Sequence, residues 1–84
     1  MDTYQVKILN FLLNKNSVTM FEIIQNVITN KDDYFEFQSV RKEINDLIFS
    51  DFIEINEYSL TITQLGRLKL NNLNKNISNK NASF

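Results

Sequence analysis

Ser39-Val40-Arg41-Lys42-Glu43-Ile44-Asn45-Asp46-Leu47-Ile48-Phe49-Ser50-Asp51-Phe52-Ile53-Glu54-Ile55-Asn56-Glu57-Tyr58-Ser59-Leu60-Thr61-Ile62-Thr63 changes its hydrophobic period midway. Val40, Ile44, Leu47 and Ile48 recur at i, i+4, i+7 and i+8, and Phe37 sits one turn earlier on the same side. That spacing predicts a helix from Phe37 to about Phe49 with one narrow buried face. Ser50-Asp51 ends it. Beyond that point Ile53 and Ile55 alternate with Phe52 and Glu54, and Tyr58, Leu60 and Ile62 alternate with Ser59 and Thr61. A period of two predicts a β-hairpin whose strands each have one mainly apolar face, joined by Asn56-Glu57 as a tight turn. Thr63 is placed to cap a last helix carrying Leu65, Leu68, Leu70, Leu73 and Ile77, and Gly66 in its first turn suits a close approach to another element.

Upstream, Tyr4, Val6, Ile8, Leu9, Phe11, Leu12 and Leu13 fall in a helix predicted from Thr3 to about Lys15. Their apolar surface covers more than half of the helix circumference, so this helix is expected to touch several neighbours. Ser17-Val18-Thr19 is β-prone, and Thr19 with Glu22 forms an S/T-x-x-E capping box that opens a second helix. Met20, Phe21, Ile23, Ile24, Val27 and Ile28 make its single stripe. Lys31-Asp32-Asp33-Tyr34-Phe35-Glu36 then reads as an acidic connector whose carboxylates can cap the third helix. Of the rings Tyr34, Phe35 and Phe37, two are expected in the core. The domain is expected to span residues 1–73, with a frayed helix end and flexible tail over 74–84. Two glycosylation-like strings in that tail, at Asn76 and Asn81, read as chance matches.

Eighty-four residues leave room for one core only. Hydrophobic residues at 43% and charged residues at 23% argue for a folded chain. With no Cys and no His, zinc sites, disulfides, thiol nucleophiles and His relays are excluded, and a single Gly excludes Gly-rich phosphate loops. No enzyme, metal or cofactor is expected. The carboxylates Asp32, Asp33 and Glu36 read as a solvated cap rather than a Mg²⁺ or acid–base site. A net charge of −1 provides no global attraction to nucleic acid or membrane, so any such contact must be local. Neither a signal peptide nor a membrane span is read near the start, and the absence of cysteine fits the cytoplasm. Abundant Asn, Ile and Lys suit an AT-rich coding sequence, as in a low-GC bacterium or its mobile elements.

The predicted order, helix, short strand, helix, helix, hairpin, helix, resembles a winged helix-turn-helix domain over residues 3 to 73. Ser39 to Ile53 is similar to that family's recognition helix running into its first wing strand. Tyr58-Ser59-Leu60-Thr61-Ile62-Thr63-Gln64-Leu65-Gly66-Arg67 is similar to the second wing strand and the Thr-x-x-Gly start of the next helix. The resemblance implies a mainly α fold with a small antiparallel β-hairpin. It also implies a DNA-binding regulator of transcription, a replication or plasmid-maintenance factor, or a module that binds only protein. Two features depart from the family pattern. The Asn56-Glu57 wing turn is short and acidic, and Asp32, Asp33 and Glu36 would face the backbone of a duplex approaching the third helix.

Gln38, Arg41, Lys42 and Asn45 gather on one sector of the third helix, while Ser39, Glu43 and Asp46 fall on another. Arg to guanine, and Asn or Gln to adenine, are the pairings that discriminate bases in the major groove, so Gln38, Arg41 and Asn45 are candidate readers, with Ser39 beside them. Lys42 is a candidate phosphate contact, as are the backbone N–H groups near Thr19, together with Lys31 and Arg67. The alternative is an ordinary solvated helix face. Lys31 and Arg41 around Tyr34 and Phe35 also suit a single-strand binder that stacks bases. The wide apolar surface of the first helix and the leucines of the last suggest a homodimer through those helices, as is common in this fold. A protein partner is the remaining alternative.

Overall fold

A helix that is apolar around more than half its circumference must act as a hub, and α1 (Thr3–Leu13) does so, packing against α2 (Met20–Val27), α3 (Tyr34–Phe49), β2 (Ser59–Ile62) and α4 (Gln64–Ala82). The computed structural model describes the backbone of residues 3–82 and the side chains of residues 4–74. The fold is mainly α with one antiparallel hairpin, β1 (Ile53–Asn56) against β2, in winged helix-turn-helix order. Ile8, Leu9 and Leu12 of α1 are sealed from solvent, and Tyr4, Val6, Phe11 and Leu13 pack at the margin of the same core. No described helix is long and apolar enough to cross a membrane.

The short strand between α1 and α2 reduces to one bridge. The Leu60 N–H donates to the Val18 carbonyl at 2.7 Å, and the Val18 N–H donates back to Leu60 at 3.4 Å. Thr19 then caps α2 as expected. Its hydroxyl accepts from the Glu22 N–H at 3.2 Å, and the Glu22 carboxylate accepts from the Thr19 N–H at 3.1 Å. Ile23, Ile24 and Val27 form the buried edge of α2.

α3 starts at Tyr34, three residues before the Phe37 start that periodicity suggests. Asp33 is the cause: its carboxylate accepts from the Phe35 and Glu36 N–H groups at 2.9 and 3.1 Å, so the chain turns helical immediately after it. Val40, Ile44 and Leu47 are the buried edge, as the spacing requires. The helix ends in a Schellman motif. The Phe52 N–H reaches the Leu47 carbonyl at 2.9 Å, the Asp51 N–H reaches the Ile48 carbonyl at 3.1 Å, and Asp51 takes a φ of 65°.

In the hairpin Ile53 faces Ile62, Ile55 faces Leu60 and Asn56 faces Ser59. The turn is therefore Glu57-Tyr58 rather than Asn56-Glu57, one residue later than expected. Glu57 adopts the positive φ, 60°, that a tight hairpin turn demands. Leu60 and Ile53 reach the core, while Tyr58 is displaced from the apolar face into solvent.

Thr63 joins the hairpin to α4. Its hydroxyl donates to the Asp51 carbonyl at 2.6 Å and accepts from the Gly66 N–H at 2.9 Å. Gly66 is where α4 crosses the end of β1: a Cβ there would lie 2.1 Å from the Phe52 carbonyl oxygen. Beyond this junction α4 is helical to Ala82, through the segment where a frayed end is expected from residue 74 on. Only Leu70 of its leucines is buried, and Leu65 and Leu68 are exposed. Ile77 and the strings at Asn76 and Asn81 lie outside the described side chains.

Candidate nucleic-acid interface

Burying Val40, Ile44 and Leu47 forces the opposite sector of α3 outward. Ser39, Arg41 and Lys42 are exposed on this side, and Gln38 and Asn45, between Arg41 and Lys42 around the helix, are half-buried. At about 100° per residue, Gln38, Arg41, Lys42 and Asn45 lie within roughly a third of the helix circumference. None of the four is fully buried by the protein's own subunit.

Their electrostatic states differ. Arg41 makes no hydrogen bond or ion pair with the described residues. It borders a shallow cavity of about 240 Å³ between α2 and α3, lined also by Met20, Phe21, Ile24 and Phe37. Lys42 instead reaches Asp46 at 3.1 Å, one turn along, which joins two sectors that the helical wheel separates. Such an exposed i, i+4 pair is worth only about 0.3–0.5 kcal/mol, so an approaching phosphate can compete for the ammonium group. Glu43, on the other sector, accepts from the Gln5 amide at 3.2 Å and ties α3 to α1.

The connector carboxylates do not act as one acidic cluster. Glu36, expected to face an incoming backbone, is engaged instead by donors of the connector and of α1. It accepts from the Asn30 N–H at 2.8 Å, the Thr29 N–H at 3.1 Å, the Tyr4 hydroxyl at 2.7 Å and the Thr29 hydroxyl at 2.8 Å. These donors, led by the Asn30 and Thr29 backbone groups, hold its pKa at about 2 rather than the usual 4.5. Asp33 is the α3 cap, and Asp32 stays exposed beside Lys31, so Lys31 shares a cavity rim with two carboxylates. At the start of α2, the Glu22 carboxylate occupies the Thr19 N–H that would otherwise be offered to a phosphate. Arg67 is exposed on α4, away from the α3 ridge in sequence and element.

The rings differ most from expectation. Only Phe37 of the three packs against the core; Tyr34 and Phe35 are 68% and 81% exposed, in an edge-to-face pair with centroids 6.3 Å apart. Phe49 is exposed at the far end of the helix, and Tyr58 at the tip of the wing. Tyr34 and Phe49 fall in the same outward sector as Gln38 and Asn45. The 100° spacing contains that information for Phe49, which an assignment by hydrophobicity alone places in the interior.

No group of three or more Asp or Glu among the described residues could hold a metal ion. Of the large apolar side chains of α1, Ile8, Leu9 and Leu12 are buried, while Tyr4, Val6, Phe11 and Leu13 are half-buried against the core and keep part of their surface in solvent. Compared with known proteins, the chain matches no family model, no curated protein and no solved structure.

Proposed function

We propose that this chain is a small, non-enzymatic DNA-binding protein that reads duplex DNA with α3, as a cytoplasmic regulator of transcription or a maintenance factor of a plasmid or mobile element. The observation that carries the proposal is the outward ridge of α3, on which Arg41 lacks a partner among the described residues and lies, along the helix, one turn from each of the amide residues Gln38 and Asn45. A guanidinium flanked by two amides matches the donors and acceptors of major-groove edges. Recognition in this reading rests on α3, because Glu57 at the wing tip repels phosphate. A homodimer doubles the small footprint, and the exposed Leu65 and Leu68 support α4 as its seam.

Exposure of Tyr34 and Phe35 favours a second reading, binding of single strands by base stacking. The acidic wing favours a third, docking on a protein. Selection from a random duplex pool, followed by fluorescence anisotropy with the selected duplex and its separate strands over a salt series, tests the proposal. Duplex binding that weakens with salt supports it. Preference for the single strand, or no binding to either, overturns it.

A further inference from the structure

The wing has a free edge. Leu60 in β2 exchanges both main-chain hydrogen bonds with Val18, on the side of β2 away from β1. Residues facing each other across an antiparallel ladder turn their N–H and C=O groups either both towards each other or both away. Ile55, which faces Leu60, therefore turns its groups away from β2, out of the sheet. Among the described residues no strand pairs with that side of β1.

Beside this edge lies a cavity of about 460 Å³ whose apolar floor is Ile48, Ile53 and Ile55 and whose carboxylates are Asp51 and Glu54. The stretch of chain that lines it, from Glu43 to Gly66, has five acidic residues and no basic one, and the nearby Lys69 of α4 is laid over the Phe52 ring, 5.5 Å from its centroid. Asp51, Glu54 and Glu57 make no side-chain hydrogen bond or ion pair with the described residues. A second copy is a poor occupant, because edge-to-edge pairing of β1 would bring the carboxylates of two wings together.

We infer that the outer edge of β1 is a docking site for a basic, extended peptide segment of a protein partner, which adds to the wing as a third strand. Side chains alternate along a strand, so the residues of the added strand beside Ile53 and Ile55 share their apolar face, and the one beside Glu54 shares its charged face. The recognised pattern is apolar, basic, apolar. This inference sharpens the protein-docking reading and holds whether or not α3 takes DNA.

The test uses a short fluorescent peptide alternating Val and Lys, titrated into the full chain by anisotropy, with a Val/Glu peptide as control. Two further versions carry N-methyl groups on one or the other alternate set of amides. The Val/Lys peptide is expected to bind, and the Val/Glu peptide not to. One N-methyl set should abolish binding while the other spares it, because only one set faces the edge. Glu54→Lys, an exposed change, should weaken binding about fivefold or more, whereas Arg41→Ala should leave it unchanged. The Ile55 amide should exchange more slowly in the complex. Equal binding of both N-methylated peptides, binding of the Val/Glu peptide, an unchanged Ile55 amide, or no binding of the Val/Lys peptide would overturn the inference.

Discussion

Gly66→Ala is a small change placed against an immovable neighbour. A Cβ on Gly66 would sit 2.1 Å from the Phe52 carbonyl oxygen and 2.9 Å from Ile62 Cγ1. A comfortable carbon–oxygen approach is about 3.3 Å, so the helix start and the β1 entry must separate by roughly 1 Å. The carbonyl cannot yield freely, because it accepts the Thr63 N–H at 3.1 Å and belongs to the residue that closes the α3 Schellman motif. Overpacking of this kind costs about 1–3 kcal/mol, and weakening that hydrogen bond adds about 1 kcal/mol. Replacing Gly by Ala in a helix returns at most about 1 kcal/mol. The net loss is about 1–3 kcal/mol, which for a domain of this size lowers the midpoint temperature by roughly 5–20 °C. Thermal and urea denaturation followed by far-ultraviolet circular dichroism read this directly, with Asn72→Ala at an exposed α4 position as the propensity control. A Gly66→Ala protein as stable as the parent would refute the junction described here.

Glu36→Gln should reduce stability near neutral pH, because the donors around the carboxylate lose their charged acceptor. The folded-state pKa is depressed from 4.5 to about 2, so the parent's advantage is complete above 4.5 and disappears as pH falls through about 2. Urea midpoints measured over that window should converge; a constant gap contradicts the assignment. Asp51→Gly removes a side chain from a left-handed residue with φ of 65° and should stabilise by about 0.5–1 kcal/mol, seen as a higher urea midpoint. A lower midpoint would count against the Schellman account. Sedimentation velocity should find a dimer that Leu68→Lys dissociates; a parent monomer rejects the α4 seam.

Where local chemistry decides the structure, the residues announce it. The Thr19 and Glu22 capping box, the switch of period after Ser50, the Thr63 cap and the need for a glycine at 66 all depend on neighbours a few positions apart or on one unusual residue. The start of α3 was legible too, since Asp33 with Glu36 three residues later is a helix-start pattern before an apolar run. Tyr34 and Phe35 mask it by looking like connector aromatics. The hairpin turn was not legible from alternation, because Tyr58 is a good strand residue by propensity. Pairing of Leu60 with Val18 and of Ile53 with Ile62 fixes the register and pushes Tyr58 into the turn.

The candidate site was legible in part. Outward placement of Arg41 and Lys42 follows directly from the buried Val40, Ile44 and Leu47 edge. The full engagement of Glu36 does not, because beside the local Thr29 and Asn30 donors it takes Tyr4, thirty-two positions away, arriving next to the connector. Exposure of Tyr34, Phe35 and Phe49 reflects a limit of size: α1, α2 and the inner edge of α3 already fill the small core. The charge asymmetry of the wing is visible in the sequence, but the free edge that gives it meaning appears only with the Val18 bridge.

The most direct measurement is anisotropy of Arg41→Ala against the parent on a selected duplex, with folding of both confirmed by circular dichroism. Loss of about 1–3 kcal/mol of binding energy, with relaxed preference at one base position, is the predicted result. Equal affinity and equal preference for the two proteins would contradict recognition through the α3 ridge.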